Sequence, residues 1–149
     1  VSLGGNVQTL GTRPDGKDWN IGIQNPDGQQ GSLLAALPVE NKAVITSGGY
    51  ERYFEEDGNT YIHILNPKTG YPADSGLRGV TVIDPCSTKA DALTTALFVM
   101  GLDKGMKFCE ENEIAAVFIT SDKQVYTTSK TGDCTFEFLG EKKGYTYAE

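Results

Sequence analysis

Histidine occurs once in the 149 residues, at His63, and tryptophan once, at Trp19. A single imidazole excludes any metal centre built on several histidines. Cysteine occurs three times, at Cys86, Cys109 and Cys134. An odd count closes no disulfide framework, and the spacing matches no zinc pattern. The thiols read as buried or incidental, with Cys109 in the core. No apolar run approaches the roughly 18 residues that a membrane-crossing helix needs. Cations are the scarcer charge: 13 Lys and Arg stand against 20 Asp and Glu, for a net charge of −7. An acidic chain without Lys/Arg clusters argues against nucleic-acid binding. It leaves a nucleotide ligand open, because a divalent cation can supply local positive charge. The start lacks the basic, apolar, small-residue order of a signal peptide. It opens at Val1-Ser2-Leu3, inside what reads as a strand, and the chain is expected to be a fragment or a processed piece.

Glycine, by contrast, is abundant, with 18 residues that punctuate many short segments. Strands are predicted over 3–10 (around a Gly-Gly-Asn kink), 19–24, 35–39, 42–47 and 77–83. Asn25-Pro26-Asp27-Gly28 is a turn signal. Residues 50–56 and 60–65, joined through Asp57-Gly58, read as a hairpin. Ser87 reads as the N-cap of a helix over 89–100 that keeps Leu93, Ala96, Leu97 and Met100 on one side, with Gly101 ending it. A second helix is predicted over about 103–111, with Met106 and Cys109 three apart, then a strand over 114–120. Strands over 123–128 and 135–139 complete a β-meander, and the charged tail from Glu141 is expected to fray. Helices grouped together between strands indicate one α+β domain, a largely antiparallel sheet with two adjacent helices packed on it.

Three groups of residues carry chemistry. In Thr60-Tyr61-Ile62-His63-Ile64-Leu65, strand alternation sets Ile62 and Ile64 on one face and His63 on the other. Beside the tight loop Asn66-Pro67-Lys68-Thr69-Gly70, an imidazole suits a general base or a phosphate contact. A lone strand histidine is also compatible with a structural or merely exposed residue. Asp91 and Thr95 lie four apart on the first predicted helix, stacked about 6 Å apart at Cβ. A carboxylate and a hydroxyl so placed can ligate one hard cation. The competing reading is local: Asp91 favouring the helix dipole and Thr95 bonding back to a carbonyl. Gly4-Gly5-Asn6 and Thr46-Ser47-Gly48-Gly49 are small segments at strand ends, where backbone N–H groups can approach phosphate or where the chain simply turns.

Together these segments resemble one family. The matching motifs are Val1-Ser2-Leu3-Gly4-Gly5-Asn6, Trp19-Asn20-Ile21-Gly22-Ile23-Gln24-Asn25-Pro26, Thr46-Ser47-Gly48-Gly49-Tyr50-Glu51-Arg52-Tyr53-Phe54, His63-Ile64-Leu65-Asn66-Pro67-Lys68-Thr69-Gly70-Tyr71-Pro72, and Ala90-Asp91-Ala92-Leu93-Thr94-Thr95-Ala96-Leu97-Phe98-Val99-Met100-Gly101. In that order they are similar to the C-terminal half of the ApbE-type FAD:protein FMN transferases, historically called thiamine-biosynthesis lipoproteins. Residues after Gly101 fit more loosely.

The resemblance implies Mg²⁺-dependent cleavage of FAD and transfer of FMN to a Ser or Thr hydroxyl of an acceptor, a flavoprotein subunit of a membrane redox complex, with release of AMP. Some members instead hydrolyse FAD to FMN and AMP, and a flavin-binding protein without catalysis is a further alternative. It implies Asp91 and Thr95 as Mg²⁺ ligands, His63 as the base for the attacking hydroxyl, and Gly4, Gly5, Asn6, Thr46, Ser47 and Gly48 around the FAD site. Family members are exported and lipid-anchored, so an extracytoplasmic, membrane-attached protein is expected. Asn66 departs from the family's usual Asp, which keeps a turn-forming side chain and loses a charge. The family's other half supplies more of the FAD pocket and a further metal ligand. The site residues here are therefore expected to form one wall of a site, and residues 1–149 alone to bind FAD weakly.

Overall fold

The computed structural model describes every residue except Gly4, Gln30, Glu51, Cys134 and Glu149, and the backbone alone of Asn59 and Asp133. The chain runs β1 (Ser2–Leu3), β2 (Asn6–Gln8), β3 (Trp19–Gln24), β4 (Leu33–Val39), β5 (Ala43–Gly48), β6 (Tyr53–Glu56), β7 (Asn59–Ile62), β8 (Leu77–Asp84), α1 (Ser87–Met100), α2 (Leu102–Glu111), β9 (Ala115–Thr120), β10 (Gln124–Thr127), β11 (Glu137–Phe138) and β12 (Thr146–Ala148). Seven strands form the main sheet in the order β1-β2-β5-β8-β9-β10-β12, three form a second sheet, β11-β4-β3, and β6-β7 is a separate hairpin. Strand pairing is antiparallel apart from β10 with β12. This is the expected α+β fold, with the two helices adjacent and packed on the main sheet.

Strand alternation divides the core. On one face of the main sheet Ala43, Ile45, Val80, Val82, Ala116 and Phe118 meet Leu97 and Phe98 of α1. On the other, Val44, Ile83, Val117 and Ile119 meet Ile23, Leu34, Leu37 and Val39 of the second sheet. Covered on both sides, β9 is buried along its whole length. Its continuous apolar sequence follows from that double burial.

Several expectations about local structure need correction. The predicted strand over 3–10 is a hairpin, in which Leu3 pairs with Asn6. Gly5, with φ 92°, accepts the positive angle that the reversal needs. The N-cap position of α1 is Cys86, without a side-chain cap, and Ser87 is already helical. Asp84 holds the approach instead, accepting the Cys86 N–H at 2.8 Å and pairing with Lys89 at 2.7 Å. The buried stripe of α1 is Ala90, Thr94, Leu97 and Phe98, while Ala96 is exposed and Met100 about one-third so. Leu97 and the partly buried Leu93 face the core as expected, but the packed face is rotated away from Ala96 and Met100 because a hydrogen-bonded threonine occupies its centre.

The β-meander is also replaced. A 3-10 turn (Ser129–Asp133) follows β10, and β11 crosses to pair with β4. The tail is ordered: β12 pairs in parallel with β10, and Tyr145 is buried. The Tyr145 hydroxyl donates to Asp27 at 2.8 Å, and Asp27 also meets Arg78 at 2.9 Å. The Asn25–Gly28 turn is therefore tied to the C-terminal segment, which charge and glycine content alone do not reveal.

Candidate functional site

Advancing about 100° per residue, Asp91 and Thr95 fall along one border of the buried α1 stripe, and both are exposed. Two strands reach them. β2 carries Asn6, whose amide Nδ2 donates to Asp91 Oδ1 at 3.1 Å. β5 carries Ser47 on the same face as Ala43 and Ile45, towards α1. Its Oγ lies 2.8 Å from Thr94 Oγ1 and 3.2 Å from Thr95 Oγ1. Thr94 Oγ1 in turn donates to the Asp91 backbone carbonyl at 2.9 Å. Asn6, Ser47, Asp91 and Thr95, from three separate segments, thus form one polar cluster. A cavity of about 300 Å³ opens beside it, lined by Asn6, Gln8, Thr88 and Asp91 together with Leu3 and Ile45.

The local explanations for Asp91 and Thr95 do not fit this geometry. α1 has no acidic residue in its first turn, so Asp91 lies beyond the favourable end of the dipole. The back-bond to a helix carbonyl belongs to Thr94, not Thr95. Thr94 is the residue that sequence reasoning missed. Its signal was its place in the spacing of Ala90, Leu97 and Phe98, where a fully buried hydroxyl requires a partner.

A hard cation such as Mg²⁺ takes oxygen ligands. The Asp91 carboxylate, the Thr95 hydroxyl and the Asn6 amide oxygen are of that kind and lie on one surface. Among the described residues Asp91 has no ion pair, so its charge is uncompensated by protein cations. No group of three or more His, Cys, Asp or Glu gathers among the described residues. The donor chemistry therefore fits a hard cation, as a partial ligand set to be completed by other oxygens.

The remaining expected site residues are not joined to this cluster by a side-chain hydrogen bond among the described residues. Thr46 points to the opposite face of β5, where its hydroxyl lies 2.8 Å from that of Thr81. Gly48 is explained by packing: a Cβ there would come within 2.3 Å of the Tyr50 ring and 3.0 Å of the Arg78 carbonyl. Gly4 lies outside the described residues, and Gly5 makes the hairpin reversal. His63 is exposed just beyond β7, and its Nδ1 lies 3.1 Å from the Arg52 carbonyl oxygen. A carbonyl only accepts, so Nδ1 carries the proton and the lone pair of the neutral ring is on Nε2. No hydrogen bond among the described residues links His63 to the Asp91 cluster. Asn66 shapes the following loop, its Oδ1 accepting the Lys68 N–H at 3.0 Å and its carbonyl accepting the Gly70 N–H at 2.8 Å. An Asp carboxylate could accept the same Lys68 bond, so the departure changes charge rather than the turn. Burial, with Glu110 adding to it, pushes the Cys109 thiol up to about 12, as suits an inert core residue. No helix among the described residues is long and apolar enough to cross a membrane.

Known proteins resemble this chain closely enough to show its family. The model of the ApbE family matches residues 1–118, past the last of the sequence motifs. A FAD:protein FMN transferase of Klebsiella pneumoniae (strain 342) is 42% identical over 130 residues, covering 87% of this chain and 39% of that protein. One from Treponema pallidum (strain Nichols) is 40% identical over 134 residues, 84% of this chain and 37% of its own length. Among solved structures, the ApbE protein of Thermotoga maritima superposes with a TM-score of 0.79 at 36% identity, covering 87% of this chain and 42% of that one. The flavin transferase ApbE of Vibrio cholerae gives a TM-score of 0.75 at 34% identity over 92% of this chain and 43% of its own. The chain thus spans roughly two fifths of the proteins it matches.

Proposed function

We propose a function from an established premise: this chain belongs to the ApbE family. The reading is transfer of FMN from FAD to a Ser or Thr hydroxyl of an acceptor flavoprotein, with Mg²⁺ as the metal and AMP as the leaving product. The observation that carries it is the convergence of Asn6, Ser47, Asp91 and Thr95 on one exposed oxygen-rich surface. Asp91 and Thr95 would hold Mg²⁺, which when bound neutralises charge on the FAD pyrophosphate. Asn6 engages one carboxylate oxygen of Asp91 and leaves the other to ligate. His63, protonated at Nδ1, offers Nε2 to the acceptor hydroxyl. The proton passes to Nε2 as the hydroxyl oxygen bonds to the FMN phosphorus. The pyrophosphate P–O bond breaks, and AMP leaves with the bridging oxygen and its electron pair. The acceptor as a subunit of a membrane redox complex, and an extracytoplasmic lipid anchor for the whole protein, belong to the same reading and rest on family resemblance.

The test uses the natural polypeptide that carries these residues. It is incubated with FAD and Mg²⁺, with and without a Ser/Thr-containing acceptor. Flavin covalently attached to the acceptor with equimolar AMP is the expected result. Steady release of FMN and AMP without acceptor would identify a FAD pyrophosphatase instead. Tight FAD binding without AMP under either condition would identify a flavin-binding protein.

A further inference from the structure

The hydroxyls beneath the proposed metal ligands are ordered in one direction by proton counting. The Asp91 backbone carbonyl can only accept, so the single proton of Thr94 Oγ1 is committed to it at 2.9 Å. The 2.8 Å contact between Ser47 and Thr94 then takes the Ser47 proton. Ser47, with no proton left, can only accept in its 3.2 Å contact with Thr95. The chain therefore reads Thr95 to Ser47 to Thr94 to the Asp91 carbonyl. Thr94 is fully buried, so water does not compete for its proton.

We propose that Thr94 and Ser47 are positioning residues whose one-way hydroxyl relay turns the Thr95 proton inward and leaves the Thr95 oxygen presenting lone pairs to a cation. The proposal rests on the reading of Asp91 and Thr95 as ligands. A hydroxyl that rotates freely must spend orientation to ligate a cation, because its proton repels the charge. Here that orientation is fixed before the cation arrives. The relay starts at one ligand residue and ends on the backbone carbonyl of the other, while the Asp91 carboxylate itself is held by Asn6. Removing the Thr94 hydroxyl leaves the Ser47 proton without an acceptor. The other hydrogen-bond partner of Ser47 is Thr95 Oγ1; when Ser47 donates there, the Thr95 proton turns outward into the site. Outer partners of metal ligands of this kind are worth about 10- to 100-fold in affinity.

The experiment measures Mn²⁺ affinity, by the loss of the free-ion electron paramagnetic resonance signal, in the natural polypeptide and its Thr94→Val, Thr94→Ser, Ser47→Ala and Asp91→Ala variants. Expected are loss of the site in Asp91→Ala, about 10-fold weaker binding in Thr94→Val, and near-native affinity in Thr94→Ser. Ser47→Ala, which removes a side chain from a partly exposed position, should weaken binding as Thr94→Val does and serves if Thr94→Val fails to fold. Native affinity in Thr94→Val or Ser47→Ala, with Asp91→Ala still deficient, would overturn the relay and leave the ligand reading standing. Mn²⁺ binding that is unaffected by Asp91→Ala, or absent from the native protein, would overturn the ligand reading and the relay with it.

Discussion

Asn6 Nδ2 donates to Asp91 Oδ1 at 3.1 Å, joining the first hairpin to the second turn of α1 across 85 residues of sequence. The bond is exposed, so its net contribution to folding is small, about 0.5–1 kcal/mol. Its consequence is orientation. Asn6→Ala should leave the melting temperature within a few degrees of native and weaken Mn²⁺ binding several-fold. Equal Mn²⁺ affinity in the variant would detach Asn6 from the site.

Asp91 is exposed and carries no ion pair among the described residues. Asp91→Ala should therefore cost no more than the exposed Asn6 bond it removes, about 0.5–1 kcal/mol, while metal-dependent turnover of FAD is lost. Urea unfolding and AMP release, measured on one preparation, separate the two effects. A large loss of stability would make Asp91 a structural residue.

His63 donates from Nδ1 to the Arg52 carbonyl, which leaves Nε2 as its basic atom. His63→Ala should slow transfer to the acceptor by about 10²- to 10⁴-fold and leave FAD affinity nearly unchanged. His63→Gln should not restore the rate, since an amide replaces the hydrogen bond without supplying a base. FAD affinity falling in parallel with the rate would instead point to a binding role.

Thr46, one residue from Ser47, faces the other way and bonds Thr81, whose side chain is fully buried. Thr46→Val should cost about 1–2 kcal/mol, because Thr81 loses its partner, with Mn²⁺ affinity unchanged. The opposite pattern, stability kept and affinity lost, would show that the strand face has been assigned wrongly.

Tyr145 and Asp27 should shape the pH dependence of stability. The Tyr145 hydrogen bond, then Arg78 and Lys123, hold the Asp27 carboxyl below its ordinary range. Its folded pKa is depressed, so its contribution is present above about pH 4 and is lost as pH falls. Burial, then Asp27, pushes the Tyr145 phenol above its ordinary range. Its contribution is present below about pH 10 and is lost as pH rises. Thermal melts should therefore show a plateau between these limits. Tyr145→Phe should lower the plateau by about 1 kcal/mol, a value kept small because Asp27 is partly exposed, and should remove much of the alkaline decline. An unchanged alkaline limb would exclude Tyr145 as its source.

What could be read from the sequence was whatever depends on near neighbours. β3 is observed at its predicted bounds because Trp19–Gln24 alternates and ends at a turn of Asn, Pro, Asp and Gly. Asp91 and Thr95 were recognisable as a pair because a helix stacks residues four apart whatever surrounds it. The motif order was also visible at this level, and it carried the family. What only the tertiary structure decided depends on partners distant in sequence. The packed face of α1 was set by β5 and β8, and Ser47 accounts for a threonine at its centre. The tail became β12 because β10 offered it an edge and Asp27 a partner for Tyr145. The direction of the hydroxyl chain below Thr95 likewise needed the strand beside the helix. Local spacing can place an oxygen on a surface, but only the groups packed behind it determine which way its proton points.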